Sequence, residues 1–181
     1  MRRVRVVDYD PQWKEGFQEE REQLREAFGP EWVEGHHIGS TSVPGLAAKP
    51  ILDFLIEVRE IERVDSLAGN LKAIGYQGWG EYGIPGRRYF NKGEDERTHH
   101  VHVFAQGHPD VHRHLVFRDY LIQHPEVARI YGELKKESAQ RFPTDIKSYM
   151  DSKDGFIKEI EAKALEWGRI SGKGYRKIWN L

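Results

Sequence analysis

The chain has 181 residues, with 28 basic and 29 acidic side chains and a net charge of −1. That length suits one domain with a substantial core, and the charge balance supplies no overall field to steer the protein to nucleic acid or a membrane. Cysteine is absent, which excludes disulfides and thiol chemistry, and no apolar run approaches a membrane span.

MRRVRVVDYD is basic but lacks the apolar stretch of a signal peptide, so we expect a soluble cytoplasmic protein. Residues 2–7 alternate Arg3 and Arg5 with Val4 and Val6, the pattern of a short edge strand. Asp10-Pro11 reads as a helix start with Asp10 as N-cap. Trp13, Phe17, Leu24 and Phe28 then recur at helical spacing up to Gly29. Glu and Arg fill the other face, which predicts a solvated surface.

Next comes the hydroxyl-rich turn Gly39-Ser40-Thr41-Ser42, then Lys49-Pro50, then the apolar run Ile51 to Val58. That run is short and β-branched, and reads as a strand. Residues 61–74 pattern as an amphipathic helix on Val64, Leu67, Leu71 and Ile74, closed by Gly75. The glycine-rich stretch 76–88 carries Tyr76, Trp79 and Tyr82 and reads as a strand entry and a loop. Tyr89-Phe90 and Thr98 to Phe104 flank Asn91 to Asp95, a predicted β-hairpin. Helices are expected over 110–123, 125–141 and 144–167, with Pro125 in a first turn and Thr144 as an N-cap. The expected organisation is an α/β core over 1–109, a helical part of the same domain over 110–167, and a basic aromatic tail over 168–181 with Arg169, Lys173, Tyr175, Arg176, Lys177 and Trp179.

The chemistry gathers around residues 36–58, HHIGSTSVPGLAAKPILDFLIEV. Glycine lets backbone approach a ligand closely, and successive N–H groups can cradle an anion. Gly39, Ser40 and Thr41 are therefore candidate phosphate-binding residues, with Ser40 foremost; Thr41 and Ser42 can instead serve as helix caps. Lys49, at the mouth of the following strand, is placed to meet a phosphate. On that strand Ile51, Asp53, Leu55 and Glu57 share one face, while Phe54, Ile56 and Val58 share the other. Asp53 binds a divalent metal on the functional reading, and pairs with a buried cation on the structural one. Glu57 reads as a surface acid at the strand end.

Six of the nine histidines fall between 99 and 114. His100 and His102 share a strand face, and converge on Asp53 if their strand neighbours its own. One aspartate with one or two histidines is a ligand set for a transition metal, and a plain polar network is the alternative. The histidine-triad hydrolases offer a rival pattern, His-x-His-x-His, but its third position here is Phe104.

In the last helix Ile146, Tyr149, Met150, Phe156, Ile157, Ile160 and Ala164 form a stripe with Lys153 in its middle. In the 110–123 helix Val111, Leu115, Leu121 and Ile122 do the same around Arg118. A cation at the centre of an apolar face must be paired or must meet an anion. Arg118 and Lys153 are thus candidate phosphate ligands, unless Arg118 pairs with Asp53 or a helix acid and Lys153 snorkels outward. Arg87 and Arg88 can add positive charge, while Lys135, at a stripe edge and within reach of the site, reads as a surface lysine.

The GSTSVPGLAAKP block, His100-Val101-His102-Val103, Phe117-Arg118-Asp119-Tyr120, Tyr131 with Leu134-Lys135, and Tyr149 with Lys153 resemble the GrpB family, a branch of the nucleotidyltransferase superfamily. The resemblance covers nearly the whole chain. It implies an α+β fold: a mixed, largely antiparallel sheet with helices on one face and a C-terminal helical bundle. It also implies a nucleotide-binding protein with metal-dependent nucleotidyl transfer to an acceptor. Asp53 and His102 would then be catalytic, and Asp53, His100 and His102 would hold Mg, Mn or Zn. Gly39, Ser40, Thr41, Lys49, Arg88, Arg118 and Lys153 would bind a nucleoside triphosphate or another phosphorylated small molecule. The superfamily places an acid-x-acid pair on the strand and a third acid on a neighbour; here those further positions are Leu55 and His102. That departure favours the alternative of a non-catalytic nucleotide or anion-binding module, and His100 or His102 allows a His-dependent phosphate-ester hydrolase. Family segments also occur fused to dephospho-coenzyme A kinase, which implies coenzyme or nucleotide metabolism.

Overall fold

Helix α1, Gln12–Phe28, buries Trp13, Phe17, Leu24 and Phe28, the four apolar positions of the helical pattern. Pro11 rather than Asp10 takes its N-cap, with no side-chain cap bond. The computed structural model describes residues 3–172. The tail positions Lys173, Tyr175, Arg176, Lys177 and Trp179 lie outside the described residues. Among the described residues no helix is long and apolar enough to cross a membrane.

Five strands follow: β1 (Trp32–Ile38), β2 (Leu52–Val58), β3 (Gln77–Gly78), β4 (Arg87–Lys92) and β5 (His99–Ala105). They form one sheet in the order β1-β2-β5-β4-β3. The β2–β5 pairing is parallel, and the pairings β1–β2, β4–β5 and β3–β4 are antiparallel. The fold is therefore α+β with a mixed, largely antiparallel sheet. Phe17 of α1 stacks on Phe54 of β2, centroids 4.9 Å apart, and on His37 of β1 at 4.6 Å. Helix α1 thus covers the Phe54 face, and Asp53 and its partners emerge on the other.

Two elements differ from the sequence pattern. The expected helix over 61–74 winds as a 3-10 helix over Ile61–Leu67 and becomes α2 only over Ala68–Ala73. Asp65, Ser66, Gly69 and Asn70 are weak helix formers, which explains the tighter, shorter path. Of the expected N-terminal strand, the described residues form a single antiparallel bridge, between Val7 and Ala48.

Helices α3 (Pro109–Gln123), α4 (Pro125–Arg141) and α5 (Ile146–Ile170) follow the sheet. Asp145 caps α5 in place of Thr144, because its carboxylate accepts from both the Ser148 N–H (3.0 Å) and the Ser148 hydroxyl (2.6 Å). Val43, Leu46, Val116, Tyr120, Leu121, Ala128, Tyr131, Ile160 and Ala164 make a shared core. On α3, Val116 and Tyr120 replace Ile122, which is exposed.

The described residues fall into two compact units that interleave in sequence. A sheet unit comprises 11–38 and 51–111, and a helical unit comprises 3–10, 39–50 and 112–172.

Candidate functional site

In the sheet unit, the parallel register sets Asp53 opposite His100 and Leu55 opposite His102. His100 Nδ1 lies 3.1 Å from Asp53 Oδ1, and His102 Nε2 lies 3.7 Å from the same oxygen. Donor atoms of the three residues all lie within 4.8 Å of one another. The convergence needs only alternation along each strand plus the β2–β5 pairing. Burial pushes the Asp53 carboxyl up, but the hydrogen bonds and charges of His100 and His102 outweigh it and hold the group well below the usual carboxylate range. Asp53 is therefore an anion across the neutral pH range.

His100 Nε2 is buried and has no hydrogen-bond partner. Arg87 Nη1 lies 3.5 Å from His102 Nδ1. A guanidinium only donates, so it favours a lone pair on that nitrogen and the proton on Nε2, toward Asp53. Arg87 is itself held by the carbonyls of Glu81 (3.1 Å) and Tyr82 (2.7 Å). Tyr89 completes the wall, its ring 5.4 Å from that of His102 and 5.8 Å from that of His100. Glu57 is not a free surface acid: His36 Nε2, on β1, lies 2.8 Å from its Oε1.

Two imidazoles and one carboxylate suit Zn2+ or Mn2+ better than Mg2+, which prefers oxygen ligands. The orphaned His100 nitrogen fits a site with an unfilled bonding role. The same donors do not fit a two-metal clamp, which needs bridging carboxylates. On the Asp53 face of the two strands the neighbouring positions are Leu55, fully buried, and His102, so among the described residues no second carboxylate joins the triad.

Arg88 is not brought to this cluster. It pairs in register with Val103, so it points to the opposite sheet face from His102. There its guanidinium grips Asp65 with two bonds, of 2.7 and 3.1 Å.

Gly39, Ser40, Thr41, Lys49, Arg118 and Lys153 all belong to the helical unit. Gly39 has φ 71°, in the left-handed region that glycine enters at no steric cost. Residues Ser40–Ser42 form one 3-10 turn. Thr41 is buried, and the Ser42 hydroxyl donates to the Gly39 carbonyl at 2.5 Å. Arg118 Nε donates to its helix neighbour Asp119 at 2.8 Å, the pairing that the structural reading anticipated. Lys153 is buried, its Nζ over the Tyr149 ring at 4.3 Å, with Lys49 Nζ over the same ring at 5.5 Å.

Residues 3–163 match the family model described as GrpB protein. The chain belongs to the GrpB family. The crystal structure of conserved protein GrpB from Enterococcus faecalis is similar with a TM-score of 0.86 at 49% identity, covering 90% of this chain and 98% of that one. UPF0157 protein YqkA of Bacillus subtilis is 51% identical over 181 residues, 99% of this chain, which spans 53% of YqkA's length. A dephospho-CoA kinase of Mycolicibacterium paratuberculosis is 27% identical over 194 residues, which cover 93% of this chain and 48% of the kinase. This GrpB chain thus spans about half the length of those two relatives.

One cation of this GrpB chain contradicts its sequence reading. Lys135 is not on the surface: it is 3% exposed, and its Nζ has no hydrogen-bond partner. The signal was present, since the buried face of α4 runs Ala128, Tyr131, Gly132, Lys135, Ser138. That spacing puts Lys135 at the centre of the face rather than its edge.

Proposed function

We propose that this GrpB protein binds nucleotide with the help of one divalent metal held by Asp53, His100 and His102, and performs metal-dependent nucleotidyl transfer to an acceptor. The observation that carries this reading is the convergence of three donor groups with a buried, unpartnered His100 nitrogen. A bound ion would neutralise phosphate oxygens and polarise the phosphorus. Asp53 supplies a carboxylate that stays ionised. Arg87, at His102 Nδ1, orients the His102 ring so that Nε2 faces Asp53, and a bound ion would take the place of the Nε2 proton. Gly39, Ser40, Thr41, Lys49, Arg118 and Lys153 are the proposed phosphate-binding residues; Arg88, engaged by Asp65, is not among them. Similarity to a dephospho-CoA kinase supports phosphorylated coenzymes or nucleotides as the ligand class.

Leu55 favours a second reading. With Asp53 as the one carboxylate of the triad, the protein would bind nucleotide without catalysing transfer. Calorimetric titration with the four common nucleoside triphosphates, in chelator and in Zn2+, Mn2+ or Mg2+, separates the outcomes. Metal-dependent binding that is lost in Asp53→Asn supports the metal centre. Release of pyrophosphate on adding acceptor RNA, nucleosides or peptides supports transfer, and its absence across such a panel supports the binding module. Nucleotide binding that ignores both metal and Asp53→Asn rejects the proposal.

A further inference from the structure

Lys49, Lys135 and Lys153 stand together in the helical unit, beside two tyrosine rings. Lys135 Nζ lies over the Tyr131 ring at 4.4 Å. Lys153 and Lys49 share the Tyr149 ring. Lys135 and Lys153 are 3% and 5% exposed. A sulfur, Met150 Sδ at 3.6 Å, is the contact of Lys153 Nζ. The charges that act on Lys135 are the ammonium groups of Lys153 and Lys49, and both oppose its own. A ring face compensates less than the cost of desolvating an ammonium. An arrangement of like charges around a buried, orphaned donor is what a bound polyanion would resolve.

We propose that Lys49, Lys135 and Lys153, framed by Tyr131 and Tyr149, bind a multiply charged phosphate group, with Lys135 as its innermost ligand. The proposal rests on the phosphate-binding part of the reading above and not on the metal. Lysine suits this role as a compact charge with three donors that rotate to meet phosphate oxygens. Neither Lys135 nor the cluster as a whole is explained by packing alone, because Leu or Met would fill the same space without the charge.

The site is also charge-regulated. Burial, then Lys153 and Lys49, bring Lys135 down to about 7. Burial, then Lys49, brings Lys153 down to about 8. Around pH 8 the empty site therefore holds fewer protons than the anion-filled one, and an entering anion draws them in.

The test is calorimetry on the full chain in chelator at pH 8, with sulfate and with tripolyphosphate as probes. Sulfate has a fixed charge, so titrating it in two buffers of different ionisation enthalpy reads proton uptake by the protein alone. We expect both probes to bind, tripolyphosphate more tightly, with net proton uptake on sulfate binding. Lys135→Met should weaken tripolyphosphate binding by about tenfold or more, the scale of one lost charged contact, and remove most of the uptake. Thermal melts of Lys135→Met guard against misfolding, since removal of a buried cation should leave the empty protein at least as stable. The proposal is overturned if neither probe binds, if folded Lys135→Met binds as well as wild type, or if the two buffers give the same heat. Chelator separates these results from the metal reading, which fails or stands on the metal titrations.

Discussion

His100 Nδ1 lies 3.1 Å from Asp53 Oδ1, across the parallel pairing of β2 and β5. Two residues 47 positions apart are thereby joined as donor and acceptor on one sheet face. With His102 they offer nitrogen, nitrogen and oxygen to one ion. We expect Zn2+ or Mn2+ to bind more tightly than Mg2+. Asp53→Asn and His102→Asn should each weaken Zn2+ binding by about tenfold or more, the scale of losing a group that a metal site depends on. Competition with a chromophoric chelator measures this, and equal affinities in wild type and Asp53→Asn would remove Asp53 from the ligand set.

On the other sheet face, Glu20 of α1 is an acid drawn inside by two partners. Tyr76 Oη donates to its Oε1 at 2.8 Å, and Lys92 Nζ at 2.9 Å. Burial, together with the Glu20 charge, raises the Tyr76 hydroxyl far above its ordinary range, so it is a permanent donor here. Tyr76→Phe should cost about 2 kcal/mol, the value of a hydrogen bond to a charged group. Glu20→Ala should cost more, because it strands both donors. Urea unfolding curves would show this as a lower midpoint at unchanged slope.

Much of this was legible along the chain, because alternation and helical spacing are local. Phe54, Ile56 and Val58 declare one face of β2, and Asp53 with Leu55 the other. His100 and His102 share a face for the same reason. What sequence could leave only conditional was that β2 and β5 are neighbours, since a parallel pairing leaves no local turn signal. Parity in the β4–β5 hairpin was similarly open. Whether Arg87 or Arg88 faces the histidines depends on its register, and Arg87 pairs with Phe104 while Arg88 pairs with Val103. Glu57 read as a surface acid because its partner His36 lies on a different strand. Lys135 read as exposed because lysine usually is, although its helical spacing said otherwise.

Helices α3 and α5 approach closely at a glycine. A Cβ on Gly168 would lie 2.5 Å from Val116 Cγ2. Val116 is fully buried and cannot swing aside freely. Gly168→Ala should therefore destabilise by about 1–2 kcal/mol, overpacking outweighing the gain in helix propensity. Adding Val116→Ala should recover part of the loss, so that the double variant is more stable than the sum of the two singles predicts. Additive thermal shifts would show that the contact is not the cause.

Lys135 should leave its mark on stability as a function of pH. Its ordinary value of 10.5 applies to the unfolded chain, and burial with two like charges brings it to about 7 in the fold. Between those values the unfolded chain binds the extra proton, so this group makes stability rise with pH. Below about 7 both states carry the proton and the penalty of the buried ammonium is fully present. Above 10.5 both states have lost it and the penalty is gone. The slope from one proton is at most about 1.4 kcal/mol per pH unit. Lys135→Met removes both the penalty and the slope. Its stability advantage over wild type should be largest below neutrality and shrink steadily toward alkaline pH. Urea denaturation at a series of pH values reads that difference directly, and a gap that stays constant across the series would mean that Lys135 keeps an ordinary ammonium in the fold.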